Sequence, residues 1–186
     1  MSFIDPLLVL QEIDTRIWEL KKKIASLPKA KAAREADLSV ALRRQLEIEG
    51  SAEGALDAAK RDAAATAVAS VREELAEIDA RLDAASKELA EIKAQRAESV
   101  AKVPPAHLRF YERLAISHHP TIVKLEGGVC SGCHLAQPPS AAHTIVRMEQ
   151  AFLEGKPVGD FVTCGMCGRI LYGPLPNPKP ETGAKA

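Results

Sequence analysis

Two short stretches decide how this chain reads: Gly127-Gly128-Val129-Cys130-Ser131-Gly132-Cys133 and Cys164-Gly165-Met166-Cys167-Gly168, with thirty residues between Cys133 and Cys164. Together they hold all four cysteines of the protein. Two residues between cysteines is the span a backbone needs to turn both thiolates onto one tetrahedral ion. The glycines allow the positive φ angles and close backbone approach that such turns require. The pattern predicts one structural Zn2+ with Cys130, Cys133, Cys164 and Cys167 as ligands. Four thiolates close the coordination sphere and leave no open position for catalysis. C-x-x-C also occurs in disulfide oxidoreductases, but there it sits in a thioredoxin-like βαβ context that these flanks lack. His134 follows Cys133 directly and reads either as a substitute ligand or as a residue beside the site.

A metal also has an energetic reason to be here. The segment 121–175 has about 55 residues with two Phe and one Tyr, too little to supply a stable core unaided. A structural zinc contributes roughly 10–16 kcal/mol of binding energy that appears as folding energy. Asp160-Phe161-Val162-Thr163 and Arg169-Ile170-Leu171-Tyr172 read as strands flanking the second cysteine turn, and predict a hairpin over it. Between the turns, Pro138-Pro139-Ser140 opens a helix with Ser140 as its N-cap, and Gly155 closes it. Ile145, Met148 and Phe152 share one face of that helix, as a packing surface or a partner groove.

The first hundred residues follow a different rule. Asp5-Pro6 reads as a helix N-cap with proline at the first helical position. Leu10, Ile13, Ile17, Leu20, Ile24 and Leu27 then alternate steps of three and four, a coiled-coil seam. Pro28 is expected to kink the helix or mark a stutter, with a change of phase to Leu38, Leu42 and Leu46. Gly50, Ser51 and Gly54 mark a stop and a tight turn. A second seam follows at Val68, Val71, Leu75, Ile78, Leu82, Ala85, Leu89 and Ile92, loosening through Arg96, Ser99 and Val103 before Pro104-Pro105 ends it.

Two helices of roughly 65–70 Å at 1.5 Å per residue, joined by a glycine turn, imply an antiparallel helical hairpin. The alternative is a parallel dimer of one continuous helix. Ala63, Ala64 and Ala65 are expected to let the helices approach closely beside the turn. Residues 105–117 read as a short helix with Leu108, Tyr111 and Leu114 at helical spacing and Arg109 and Arg113 one turn apart. His118-His119-Pro120 reads as a hinge. The resulting organisation is a mainly α protein: a coiled-coil hairpin over 1–103, a linker helix and hinge over 104–120, a C4 ribbon over 121–175, and a Pro-rich disordered tail over 176–186.

Composition agrees with this plan. The chain is 46% apolar and 27% charged but only 4% aromatic, as long solvated helices are. Net charge is zero, so a general nucleic-acid-binding charge excess is missing. No basic n-region opens the sequence and no run of eighteen apolar residues occurs in it, so a cytoplasmic protein without a membrane span is expected.

The stretch 127–134, then Pro138-Pro139, then 164–172 resembles the bacterial C4-type zinc-ribbon proteins that carry a long N-terminal coiled-coil hairpin. Pro104-Pro105 with Leu108, Tyr111, Glu112, Arg113 and Leu114 resembles that family's linker helix. The hairpin is shorter than is usual there and the cysteine pairs lie further apart. The resemblance implies a regulatory chaperone or adaptor that binds the alternative sigma factor sigma-54 or secretion and flagellar components, with RNA binding as a further implied property. Two functions stand open at this point. One is a non-enzymatic adaptor for a protein partner. The other is a nucleic-acid binder that uses Arg109, Arg113, His118, His119 and Lys124 near the hinge and Arg147, Lys156 and Arg169 in the ribbon. No Gly-rich phosphate loop or paired catalytic carboxylates point to an enzyme, and no small-molecule substrate is expected.

Overall fold

The computed structural model describes residues 2–51 and 57–173. The expected turn at Gly54 and the expected tail over 176–186 lie outside these residues. The elements are α1 (Asp5–Gly50), α2 (Ala58–Val100), α3 (Pro105–Ala115), β1 (Ile122–Glu126), β2 (Val129–Cys130), α4 (Pro139–Leu153) and β3 (Ile170–Tyr172). The chain divides into two compact units, Arg16–Lys93 and Met1–Thr15 with Ala94–Ala186. This division crosses both long helices, whereas the sequence pattern places a boundary at Val103.

In the unit 16–93 two long helices pack together. Arg16 pairs with Glu88 at 3.2 Å, Lys31 with Asp79 at 2.6 Å and Arg34 with Glu74 at 2.9 Å. Partner numbers fall along α2 as they rise along α1, so the helices run in opposite directions within one chain. The expected change of phase at Pro28 does not occur. α1 runs unbroken through the proline, and Leu27 is followed in the same heptad spacing by Lys31, Arg34, Leu38, Ala41, Gln45 and Ile48. Leu46, expected in the seam, is 67% exposed. Lys31 and Arg34 hold the seam positions because their long stems lie along it while their charges reach acids flanking the facing seam.

On α2 the buried and half-buried positions are Ala64, Val68, Val71, Leu75, Ile78, Leu82, Ala85, Leu89 and Ile92, the expected register. Of the alanine run, Ala64 is buried, while Ala63 and Ala65 are exposed. A groove of about 680 Å³ opens among Val40, Ala41, Arg44, Ile48, Ala63, Ala64 and Ala67, because methyl groups leave the space that longer side chains fill elsewhere.

The other unit is built on a three-stranded sheet in the order β2-β1-β3. β1 pairs with β2 antiparallel, Leu125 opposite Cys130, and with β3 parallel, Ile122 opposite Ile170. The expected strand over 160–163 is reduced to a single bridge, Thr163 to Ile170. β3 is instead committed to β1, a strand not foreseen in the sequence. Strand alternation divides the core in two. Ile122 and Ile170 face a cluster with Ile4, Leu7, Leu10, Val103, Tyr111 and Phe161. Val123, Leu125 and Leu171 face Cys130, Cys164 and Ile145 of α4.

Polar side chains tie the first helix to this sheet. The Gln11 amide donates to the Ile122 carbonyl at 3.0 Å and accepts from the Ile122 N–H at 2.5 Å, satisfying backbone groups that a third strand would otherwise take. Asp14 receives the Arg96 guanidinium at 2.6 Å and the Tyr111 hydroxyl at 3.1 Å, while Arg96 also reaches Glu112 at 3.2 Å. Burial, with the neighbouring Asp14 carboxylate adding to it, pushes the Tyr111 phenol well above its ordinary range and keeps it a donor. Arg96 thus occupies its seam position as a paired cation.

The helix starts differ from expectation at two places. Asp5 begins α1 and turns its carboxylate back to the Ser2 N–H at 2.6 Å, so it closes a capping loop rather than serving as the N-cap alone. α4 starts at Pro139 with Pro138 as N-cap and no side-chain cap, so Ser140 lies inside the first turn.

Replacing Lys31 and Arg34 together with leucine is expected to stabilise the helix pair by about 1–3 kcal/mol, since the apolar surface leucine would bury in the seam outweighs the small contribution of these solvated ion pairs. Thermal unfolding followed by circular dichroism measures this, and a lower midpoint would show that the two ion pairs contribute more than apolar packing.

Candidate metal centre

Each cysteine turn is set by the same two backbone hydrogen bonds. The Cys130 N–H donates to Leu135 O at 3.1 Å, and the His134 N–H donates to Cys130 O at 2.8 Å. The Cys164 N–H donates to Arg169 O at 2.8 Å, and the Gly168 N–H donates to Cys164 O at 2.9 Å. Closing so tight a loop drives the residue one place after the second cysteine into left-handed backbone: His134 has φ 59° and Gly168 φ 73°. The loops are therefore two copies of one conformation. The Cys167 N–H additionally points at Cys164 Sγ, 3.5 Å away.

β2 delivers Cys130, and the loop before β3 delivers Cys164 and Cys167. All four sulfur atoms lie within 4.8 Å of one another. Cys130 Sγ is 3.9 Å from Cys167 Sγ and Cys133 Sγ is 3.7 Å from Cys164 Sγ. A tetrahedral ion with metal–sulfur bonds near 2.3 Å needs sulfur–sulfur edges of about 3.8 Å, so the geometry fits a metal ion of that kind. All four predicted ligands come together, and the cluster includes no histidine, aspartate or glutamate among the described residues.

His134 is exposed on its loop and takes no ligand position. The His118 ring contacts Ser117 Oγ at 2.7 Å and Leu114 O, at the end of α3. Neither histidine belongs to the sulfur cluster.

Electrostatics within the cluster are uneven. Burial raises the Cys167 thiol, but the Arg169 N–H and side chain, with neighbouring thiols, more than offset this and hold it below its ordinary range. At Cys133 the Leu135 N–H favours the thiolate, yet burial and the surrounding sulfurs outweigh it and push the thiol up. Four thiolates this close repel one another, and a divalent cation is the group that relieves the repulsion.

Three supporting residues were not foreseen in this role. Gln137, nearly buried, accepts from the Gly165 N–H at 3.2 Å and donates to Leu135 O and Ala136 O, joining the two loops. Arg169 lies across the first loop and donates from Nε to Pro120 O at 2.9 Å. Gly132 makes room for it: a Cβ there would stand 2.9 Å from Arg169 Cδ and 3.2 Å from Val123 Cγ1. Sequence carried no signal for the Gln137 bridge, since a glutamine in a loop has many possible partners.

No protein-family model matches the chain, and no curated protein matches it. Among solved structures, the chain is similar to the CT398 protein of Chlamydia trachomatis, at 18% identity and a TM-score of 0.52, covering 92% of this chain and 98% of that one. It is also similar to the HP0958 protein of Helicobacter pylori, at 18% identity and a TM-score of 0.44, covering 94% and 86%. The first likeness speaks to the fold alone.

The two loops differ at their left-handed residue, which yields an asymmetric expectation. Gly168→Ala should destabilise the metal-loaded protein by about 1–2 kcal/mol, whereas His134→Gly should be neutral or stabilise it by up to about 1 kcal/mol. Thermal denaturation of both variants checks this. Destabilisation by His134→Gly would mean that the His134 side chain makes a contact that the backbone argument omits.

Proposed function

We propose that this protein is a non-enzymatic adaptor: a coiled-coil hairpin carried with a C4 zinc ribbon, in which Cys130, Cys133, Cys164 and Cys167 hold one structural Zn2+ and the protein surfaces bind a protein partner. The observation that carries it is the sulfur cluster, whose edge lengths suit a tetrahedral ion with every position taken by a thiolate. When bound, zinc supplies a cross-link between the two loops. The residues around it position sulfur and backbone, and none is aimed at a reacting group. The heptad seams support the coiled-coil part of the reading, and the sulfur geometry supports the family resemblance.

Nucleic-acid binding is the weaker reading. Of the basic residues it would use, Lys124 pairs with Glu126 at 2.8 Å and Lys156 with Glu154 at 2.6 Å, while Arg169 is spent on the Pro120 carbonyl. Few cations are left to line a phosphate track.

Two measurements test the proposal. Elemental analysis should find one zinc per chain in the native protein and none in Cys164→Ser, with the sheet lost but most helical circular dichroism kept. A variant that retains stoichiometric zinc and an ordered sheet overturns the assignment. Affinity capture with the zinc-loaded full chain, with and without nuclease, should retain protein partners in both, with sigma-54 and secretion or flagellar components the first to be sought. Partners lost only on nuclease treatment would favour nucleic acid, and no specific partner in either arm removes the adaptor reading.

A further inference from the structure

The chain has four phenylalanines, and all four meet in one cluster. Phe152 at the end of α4 lies 6.4 Å from Phe3, Phe3 stacks on Phe161 at 6.0 Å, and Phe161 lies 5.5 Å from Phe110 of α3, all between ring centroids. His107 packs on Phe161 at 4.7 Å. The row continues to the Arg113 guanidinium, 4.9 Å from the Phe110 ring. Only Phe161 is buried. Phe3 and Phe110 are half-exposed, Phe152 is 40% exposed and its neighbour Leu153 61%.

Beyond the rings, α3 turns a second row outward. Arg109, Arg113 and Ile116 follow one another at helical spacing, all exposed, with Ile116 at 85%. Arg96, Lys124 and Lys156 of this unit each pair with a carboxylate. Arg109 and Arg113 have no carboxylate partner among the described residues. The row of phenylalanines thus meets Arg113 at its Phe110 end and leaves Phe152 exposed at the other. Aromatic rings and arginine are the side chains that dominate binding energy at protein interfaces.

We propose that this row, resting on the adaptor reading above, is the docking surface for an acidic peptide segment of a partner protein that carries an apolar anchor. The anchor packs on Phe152, Phe3 and Leu153, and the carboxylates meet Arg109 and Arg113. Complementary charge decides the partner's sign, because an acidic segment gains at both arginines while a basic one is repelled. A peptide suits the row better than a nucleic acid. The rings pack on one another and spend their faces within the protein, leaving edges that an apolar side chain can contact but no open faces for bases to stack on.

The test uses the zinc-loaded full chain and a short fluorescein-labelled peptide alternating Glu with Leu and Phe, read by fluorescence anisotropy. Its two controls are the same peptide with Lys in place of Glu, and a labelled oligouridylate. The acidic peptide should bind saturably and the basic one should not. Arg109→Glu with Arg113→Glu should weaken binding by about tenfold or more, and Phe152→Ser by a comparable factor. Both arginines are exposed, so that variant tests the surface even if Phe152→Ser fails to fold.

Absence of saturable binding, equal affinity for both peptides, unchanged affinity in the arginine variant, or binding of the oligouridylate in preference to the peptide overturns the proposal. Capture of the same protein partners by wild type and the arginine variant also overturns it, while leaving the adaptor reading intact.

Discussion

Four sulfur atoms, brought from two loops to within 4.8 Å of one another, are the constraint on which the C-terminal part of the molecule rests. The sheet they border has strands of five, two and three residues. Strands so short carry too few ladder bonds and too little apolar face to persist by themselves. The loops add hydrogen bonds at both cysteines, but each loop also holds a residue in left-handed backbone. A tetrahedral ion would convert these strained, mutually repelling loops into one cross-linked body, and the free energy of binding it would be folding free energy.

Polar groups do a related job elsewhere. Gln11 completes the hydrogen bonding at Ile122, and Asp14 gathers Arg96 and Tyr111, so the first turns of α1 are attached to β1 and α3 by directional contacts as well as by Leu7 and Leu10. Such contacts fix one arrangement where apolar packing alone would accept several, because a buried donor or acceptor displaced from its partner costs about 1–3 kcal/mol. Lys31 and Arg34, by contrast, form solvent-exposed pairs with Asp79 and Glu74 across the long helices, which add little energy and favour one alignment by charge.

What the sequence revealed follows the range of the interactions involved. Cysteine spacing and heptad spacing are local, and both the sulfur cluster and the seam of α2 stand where those patterns put them. Pro28 misled because a proline removes one hydrogen bond without forcing a change of phase, and the charged residues after it hid a seam that apolar letters alone could not trace. β1 was legible in principle: Ile122 and Val123 precede Gly127-Gly128, a hairpin signal. Its parallel pairing with β3 was not, since it joins residues 48 apart with no local pattern to announce it. The Gln137 bridge and the Arg169 strap over Gly132 are likewise contacts between distant loops, with no periodicity to announce them.

The distribution of aromatic residues completes the account. The core cluster that includes Cys130 and Cys164 holds Val123, Leu125, Ile145 and Leu171, and not one phenylalanine. A core of that size would ordinarily lean on large rings, each burying about 150–250 Å². A metal cross-link through the sulfur atoms would make such rings unnecessary there. All four phenylalanines instead lie in the row that runs from Phe152 to Phe110, with Phe161 buried in the core of Ile122 and Ile170 and Phe3 and Phe110 packed against it. The two faces of the sheet are thus packed differently: aliphatic side chains lie beside the sulfur atoms, and the rings gather on the face of Ile122 and Ile170.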